Sequence, residues 1–142
     1  MFKKILHAND GSEHAFNALS LALQIAKHDH AELHMVCVEK RGLMPELVQQ
    51  TVEETPADDG AAPVLDQVIR RARFMAGASE VTLHTHLLAG HPALDVVKLA
   101  SDLGADLVVV GASGRSPLYD RMIGSRAQKI LYHAPCSVLV VR

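Results

Sequence analysis

Near the C-terminus the chain reads GASGRSPLYDRMIGS, from Gly111 to Ser125. Gly111, Gly114 and Gly124 are three of only nine glycines in 142 residues. Glycine lets a backbone come close to a ligand or take a positive φ. Gly124 and Ser125 stand where a helical segment begins. A helix start offers free amides and the positive end of the peptide dipole to an anion. Ser113 and Ser125 add hydroxyl donors, and Arg115 and Arg126 add positive charge. Such a turn could grip a polyphosphate from both ends. It matches neither common phosphate motif: no Lys follows Gly124, and the turn after the first apolar run is NDGSEH, not G-x-G-x-x-G. A plain connection between strand and helix fits the same residue types equally well.

Turnover of a nucleotide asks for more than a cradle. It needs a positioned water or base and, as a rule, a metal bridging the β- and γ-oxygens. Asp10 is the acid that falls at a strand end. Asp120 lies between the glycines, where a solvent-facing loop acid is the simpler reading. These groups favour retention of a nucleotide over its hydrolysis. A slow Mg-dependent ATPase or phosphotransfer enzyme is the alternative. Nine histidines raise the question of a metal. His84 and His86 alternate and so share one face of a strand, while His28 and His30 fall in a turn. No H-x-x-x-H or C-x-x-C accompanies them, so their spacing carries no metal motif. His7 reads as a core or crevice histidine and His91 as a loop residue beside Pro92. Cys37 and Cys136 lie in apolar stretches and read as reduced, buried thiols.

Parallel elements must hold these residues. A first strand is expected over about Lys3 to Ala8. A helix follows, capped by Asp10 or Ser12, with Glu13 three beyond Asp10 as in a capping box. Phe16, Leu19, Leu23 and Ala26 recur at helical spacing. AELHMVCVEK is a second strand whose buried run is Met35 to Val38. From about residue 40 to Pro63 the chain mixes Pro, Gly and acids and reads as an excursion, with a short helix near Glu46 to Glu54 and a mobile TPADDGAAP. Leu65, Val68, Ile69, Ala72 and Ala76 then mark a helical face, and VTLHTHLLAG a third strand. Pro92 opens a helix with Ala93, Val96, Val97, Ala100 and Leu103 on one face, and Gly104 is placed to end it. DLVVVGAS is a nearly continuous apolar strand, expected of one buried on both faces. The final helix carries Ala127, Ile130, Leu131 and Ala134, and SVLVVR is the closing strand.

Strands alternating with helices imply an α/β fold with a mostly parallel sheet and helices on both faces. Five strands suggest a flavodoxin-like (Rossmann-like) three-layer sandwich of order 3-2-1-4-5. A crevice would open outside the C-terminal ends of strands 1 and 4. A receiver domain of the same fold is not expected, since the third strand ends in LLAGHP without a phosphorylatable Asp and no Lys follows the fifth. One domain spanning 1–142 accommodates the whole chain.

Bulk composition agrees. The chain is 49% hydrophobic and 21% charged, with a net charge of −2 and a pI near 6.5. No basic excess points to nucleic acid, and sparse aromatics with no Trp argue against a base-stacking platform. No apolar run approaches the ~20 residues of a membrane span, and the N-terminus lacks the apolar core of a signal peptide. A cytoplasmic protein without membrane insertion is expected.

The motif G-2x-G-9x-G-[ST], met by Gly111, Gly114, Gly124 and Ser125, resembles that of the ATP-binding branch of the universal stress protein family. ILHANDGSEHA is similar to that family's opening strand and first turn. AGHPALDVVKLASDLGADLVVVGASGRS resembles its third helix and fourth strand, and PCSVLVVR its last strand. The resemblance implies ATP, with Mg, as the cofactor. It implies that Asp10 contacts the ribose or adenine region and that Ala8, Asn9 and Val38 help hold the base. Gly111 would lie against the ribose, and Gly114, Arg115, Gly124, Ser125 and Arg126 near the phosphates. It further implies a nucleotide-responsive stress regulator rather than an efficient enzyme, a homodimer or higher oligomer formed through the final strand, and a protein target such as a membrane transporter.

Overall fold

A computed structural model describes residues 1–40, 61–112 and 122–142. Its elements are β1 (Lys4–Ala8), α1 (Glu13–Asp29), β2 (Glu32–Lys40), α2 (Ala61–Ser79), β3 (Leu83–Gly90), α3 (Pro92–Leu103), β4 (Leu107–Gly111), α4 (Ser125–His133) and β5 (Ser137–Val141). The five strands form one sheet in the order β3-β2-β1-β4-β5, and every pairing is parallel. The expected fold class and strand order are those observed. No helix among the described residues is long and apolar enough to cross a membrane.

Alternation along the central strands builds two cores. Ile5, Leu107 and Val109 face α1 and α2, where they pack with Phe16, Leu19, Leu23, Val68 and Ala72. Leu6, Val108 and Val110 face α3 and α4, meeting Ala93, Val96, Ala100, Ala127 and Ile130. The unbroken apolar run of β4 is thus divided between two layers. Each fully buried Leu or Val side chain contributes on the order of 1.5–3 kcal/mol by leaving water. Asp106 locks the register from below, its carboxylate accepting the amides of Lys3 at 2.8 Å and Lys4 at 3.0 Å.

Helix ends follow local chemistry. The Ser12 hydroxyl accepts the Ala15 amide at 3.2 Å and caps α1. Glu13 makes no capping box; its carboxylate takes the Arg71 guanidinium at 3.2 Å instead. Pro92 opens α3, and Gly104, at φ 68, closes it by donating to the carbonyls of Ala100 and Ser101.

Besides the capping box, three expectations need correction, and a fourth lies outside the described residues. The excursion expected to run to Pro63 ends earlier, because residues 61–63 already form the start of α2, where a first-turn proline is tolerated. The short helix near Glu46 to Glu54 lies outside the described residues. Leu131, expected on the buried face of the last helix, is 45% exposed, since only Ala127 and Ile130 of α4 reach the core. Cys37 is buried, but Cys136 is only partly so, because it precedes the edge strand β5; both thiols are free.

Candidate functional site

The winding of the sheet reverses between β1 and β4, and their C-terminal ends diverge there. A cleft of about 300 Å³ opens at this fork, near the lower bound of small-molecule pockets, about 300–1,000 Å³. Ala8, Asn9 and Asp10 form one wall and Gly111 the base. Gly124, Ser125 and Arg126 form the opposite wall, and Val38 on β2 closes one side. Eight sequence-predicted site residues therefore meet in one cavity. Ser113, Gly114 and Arg115 lie outside the described residues, as does Asp120.

Two successive turns shape the β1–α1 wall. The Asn9 Oδ1 accepts the Gly11 amide at 2.8 Å, and the Asp10 Oδ1 accepts the Ser12 amide at 3.0 Å. The Asn9 amide continues the ladder to the Val36 carbonyl at 3.0 Å. Asn9 is 4% exposed, yet its Nδ2 has no hydrogen-bond partner among the described residues. A buried donor left unpaired costs about 1–3 kcal/mol, so this amide is a ready donor for an acceptor on a ligand. Asp10 stays exposed and brings a carboxylate to the cleft mouth.

The opposite wall is the start of α4. Gly124 is its N-cap, at φ −61 and ψ 158, and no side chain caps the helix. The Gly124 amide is already used, donating to the Ala112 carbonyl at 2.6 Å. Ala112 in turn donates to the Val141 carbonyl at 2.7 Å, tying the helix start to the β4–β5 ladder. The anion-binding capacity of this end therefore rests on the amides that follow Gly124, on the Ser125 hydroxyl and on the exposed Arg126.

Gly111 has a reason that spacing did not disclose. A Cβ built there would lie 2.8 Å from the His14 carbonyl carbon and 2.9 Å from the Ala15 nitrogen, both backbone atoms of α1. Glycine is required for the end of β4 to pass the start of α1, apart from any ligand. Sequence reading also missed the apolar lining. Pro92, Val96, Ala127 and Ile130 contribute side walls, yet each reads in sequence only as a helix start or core position.

His7 lies beneath this region on β1, fully buried, with its Nδ1 3.0 Å from the Val109 carbonyl oxygen. Burial lowers its pKa from 6.5 to about 4, against smaller opposing effects of the Val109 carbonyl and the Asp10 carboxylate. It is the core histidine expected from sequence. Cys37 is likewise inert, since burial pushes its thiol up to about 11.

Comparison with known proteins places the chain. The profile of the universal stress protein family matches residues 1–142. A universal stress protein of Methanocaldococcus jannaschii is 32% identical over 146 residues, covering 100% of this chain and 83% of the relative. The structure of the universal stress protein UspA from Lactobacillus plantarum superposes with a TM-score of 0.82 at 27% identity, covering 99% of this chain and 97% of that one. A universal stress protein solved in complex with cAMP superposes with a TM-score of 0.72 at 25% identity, covering 99% and 97%. On the full-length profile match, the shared sheet topology and these relatives, the chain belongs to the universal stress protein family.

Proposed function

We propose that the chain is a regulatory protein that binds ATP, with Mg, in the cleft between β1 and β4. The observation that carries this reading is the convergence on one cavity of three unlike groups: the Asp10 carboxylate, the Asn9 Nδ2, unpaired among the described residues, and the side-chain-free start of α4. Their chemistry matches the parts of a nucleotide. A carboxylate accepts from ribose hydroxyls, an amide donates to a base or sugar acceptor, and a helix start with Arg126 suits phosphates. Val38 and the apolar lining suit the flat base. The relative that binds cAMP supports an adenine nucleotide. Bound Mg would neutralise phosphate charge.

Retention fits better than turnover. Among the described residues of the cleft, Asp10 is the one carboxylate, and it lies on the wall opposite the proposed phosphate end. A regulatory protein of this kind acts through a protein target, for which the family resemblance makes a membrane transporter the first candidate class. The edge strand β5 supports pairing with a second copy, because its outer ladder has no partner in the sheet. Light scattering tests that point: a dimer mass is expected, and a stable mass of 15.3 kDa would remove it.

The decisive experiment titrates ATP with Mg into the purified chain by calorimetry, then identifies the nucleotide that remains after hours. Saturable uptake of one equivalent, recovered as intact ATP, is expected. Steady ADP release would instead make the protein a slow ATPase.

A further inference from the structure

The parallel register of β2 and β3 sets His34 beside His84 and Val36 beside His86. Glu32, two residues before His34, lies on the same face of β2. The result is a cluster that belongs to neither core. His34 is 6% exposed, whereas Glu32 and His84 are exposed. The His34 ring stacks on His84 with centroids 4.8 Å apart and on His86 at 5.1 Å. One ligand-capable atom from each of Glu32, His34 and His84 lies within 4.8 Å of the other two. Ligands of a tetrahedral zinc ion stand roughly 3.3 Å apart at bond lengths of about 2.0–2.1 Å. Rotation of the two exposed side chains would open the Glu32–His34 pair, which stands 2.6 Å apart, and bring His84 to that spacing.

The hydrogen bonds add the support that a metal histidine needs. The His34 Nε2 is 2.6 Å from the Glu32 Oε1, and its Nδ1 is 2.8 Å from the His86 Nε2. In the tautomer with the proton on Nδ1, His34 donates to His86. Its Nε2 lone pair then points toward the carboxylate, an arrangement that a cation between them relieves. A ring held through its far nitrogen is the usual setting of a ligating imidazole. Glu32 and His84 also line a second cavity, with Lys27, His30 and Glu80, which gives the cluster an open approach.

We propose that Glu32, His34 and His84 form a binding site for a borderline divalent cation, zinc above all, on the exposed face of the β2–β3 edge, with His86 orienting His34. Two imidazoles and a carboxylate select zinc-class ions over Mg or Ca, which prefer all-oxygen sets. The site is separate from the nucleotide cleft. His34 precedes Val38 by four strand residues, about 13 Å at ~3.3 Å per residue.

The test uses the untagged full chain and zinc chloride alone, read by calorimetry, with cobalt substitution read by its visible absorption. One saturable equivalent is expected, with the intense absorption of a low-coordinate cobalt site. His84→Ala and Glu32→Gln are expected to lose it. Both residues are exposed, and circular dichroism melting confirms that the variants fold. His86→Ala should weaken uptake about 10–100-fold without changing its stoichiometry, and His28→Ala should leave it unchanged. Absence of saturable uptake, or uptake of equal strength in His84→Ala and Glu32→Gln, would overturn the proposal.

Discussion

The cleft between β1 and β4 and the histidine face of β2 and β3 lie on one sheet but are built by opposite means. The cleft is assembled from strand ends and helix starts, and much of its binding capacity is backbone: turn amides, a glycine and an uncapped helix. The histidine face is assembled from mid-strand side chains that meet only through register. Backbone-built sites leave a spacing signature along the chain, because a turn has fixed length. Register-built sites leave none, because His34 and His86 are 52 residues apart. The two regions also treat histidine differently. His7, beneath the cleft, is sealed in the core, whereas His84 stands in solvent and His86 is half-buried.

Acid separates them most strongly. The folded-state pKa of His7 is about 4 against 6.5 unfolded, so the unfolded chain takes up the proton first. Stability is unaffected above pH 6.5, falls as pH drops through that value, and has lost about 3 kcal/mol from this group by pH 4, at ~1.36 kcal/mol per unit. Urea unfolding across this range should show the slope, and His7→Gln should flatten most of it. His86 is also held below its ordinary value, by burial first and then by its neighbours His34 and His84. Its loss has the same sign, but its greater exposure makes the effect of His86→Gln the smaller of the two.

Gly111→Ala comes next. The methyl group would press on the backbone of His14 and Ala15, and an overpacked contact of this kind costs about 1–3 kcal/mol. The urea midpoint should fall, while zinc uptake at the histidine face persists once the protein is folded. Asp10→Ala should lower ATP affinity about tenfold or more, the worth of a charged hydrogen bond, leave zinc uptake unchanged, and cost about 1 kcal/mol of stability or less, because the exposed Asp10 Oδ1 also accepts the Ser12 amide. Ser12→Ala is the mildest change. It removes the α1 cap at a cost of about 1 kcal/mol, seen as a shift in urea midpoint.

The fold was legible because its signals are local and repeated. Phe16, Leu19, Leu23 and Ala26 each sit 4% exposed or less, as a 3.6-residue period requires. Gly104 ends α3 as its placement predicted. The candidate site was legible where a motif fixed positions, hence Gly111, Gly124 and Ser125 on one cavity with Ala8 to Asp10; Arg126 followed from its place beside them. It was not legible where tertiary packing decides. Gly111 is glycine because α1 passes close by. The Gly124 amide is committed to Ala112, and Val96 and Ile130 serve the core and the cleft together. Glu13 looked like half of a capping box but pairs across to Arg71, a residue 58 positions away.

Calorimetric titration of ATP with Mg into the intact protein, beside the same titration into Asp10→Ala, bears most directly on the proposed nucleotide site between β1 and β4. One saturable equivalent for the unchanged chain, weakened tenfold or more by the substitution, is the predicted result. No uptake of ATP, ADP or cAMP, or an affinity indifferent to the loss of the Asp10 carboxylate, would contradict it.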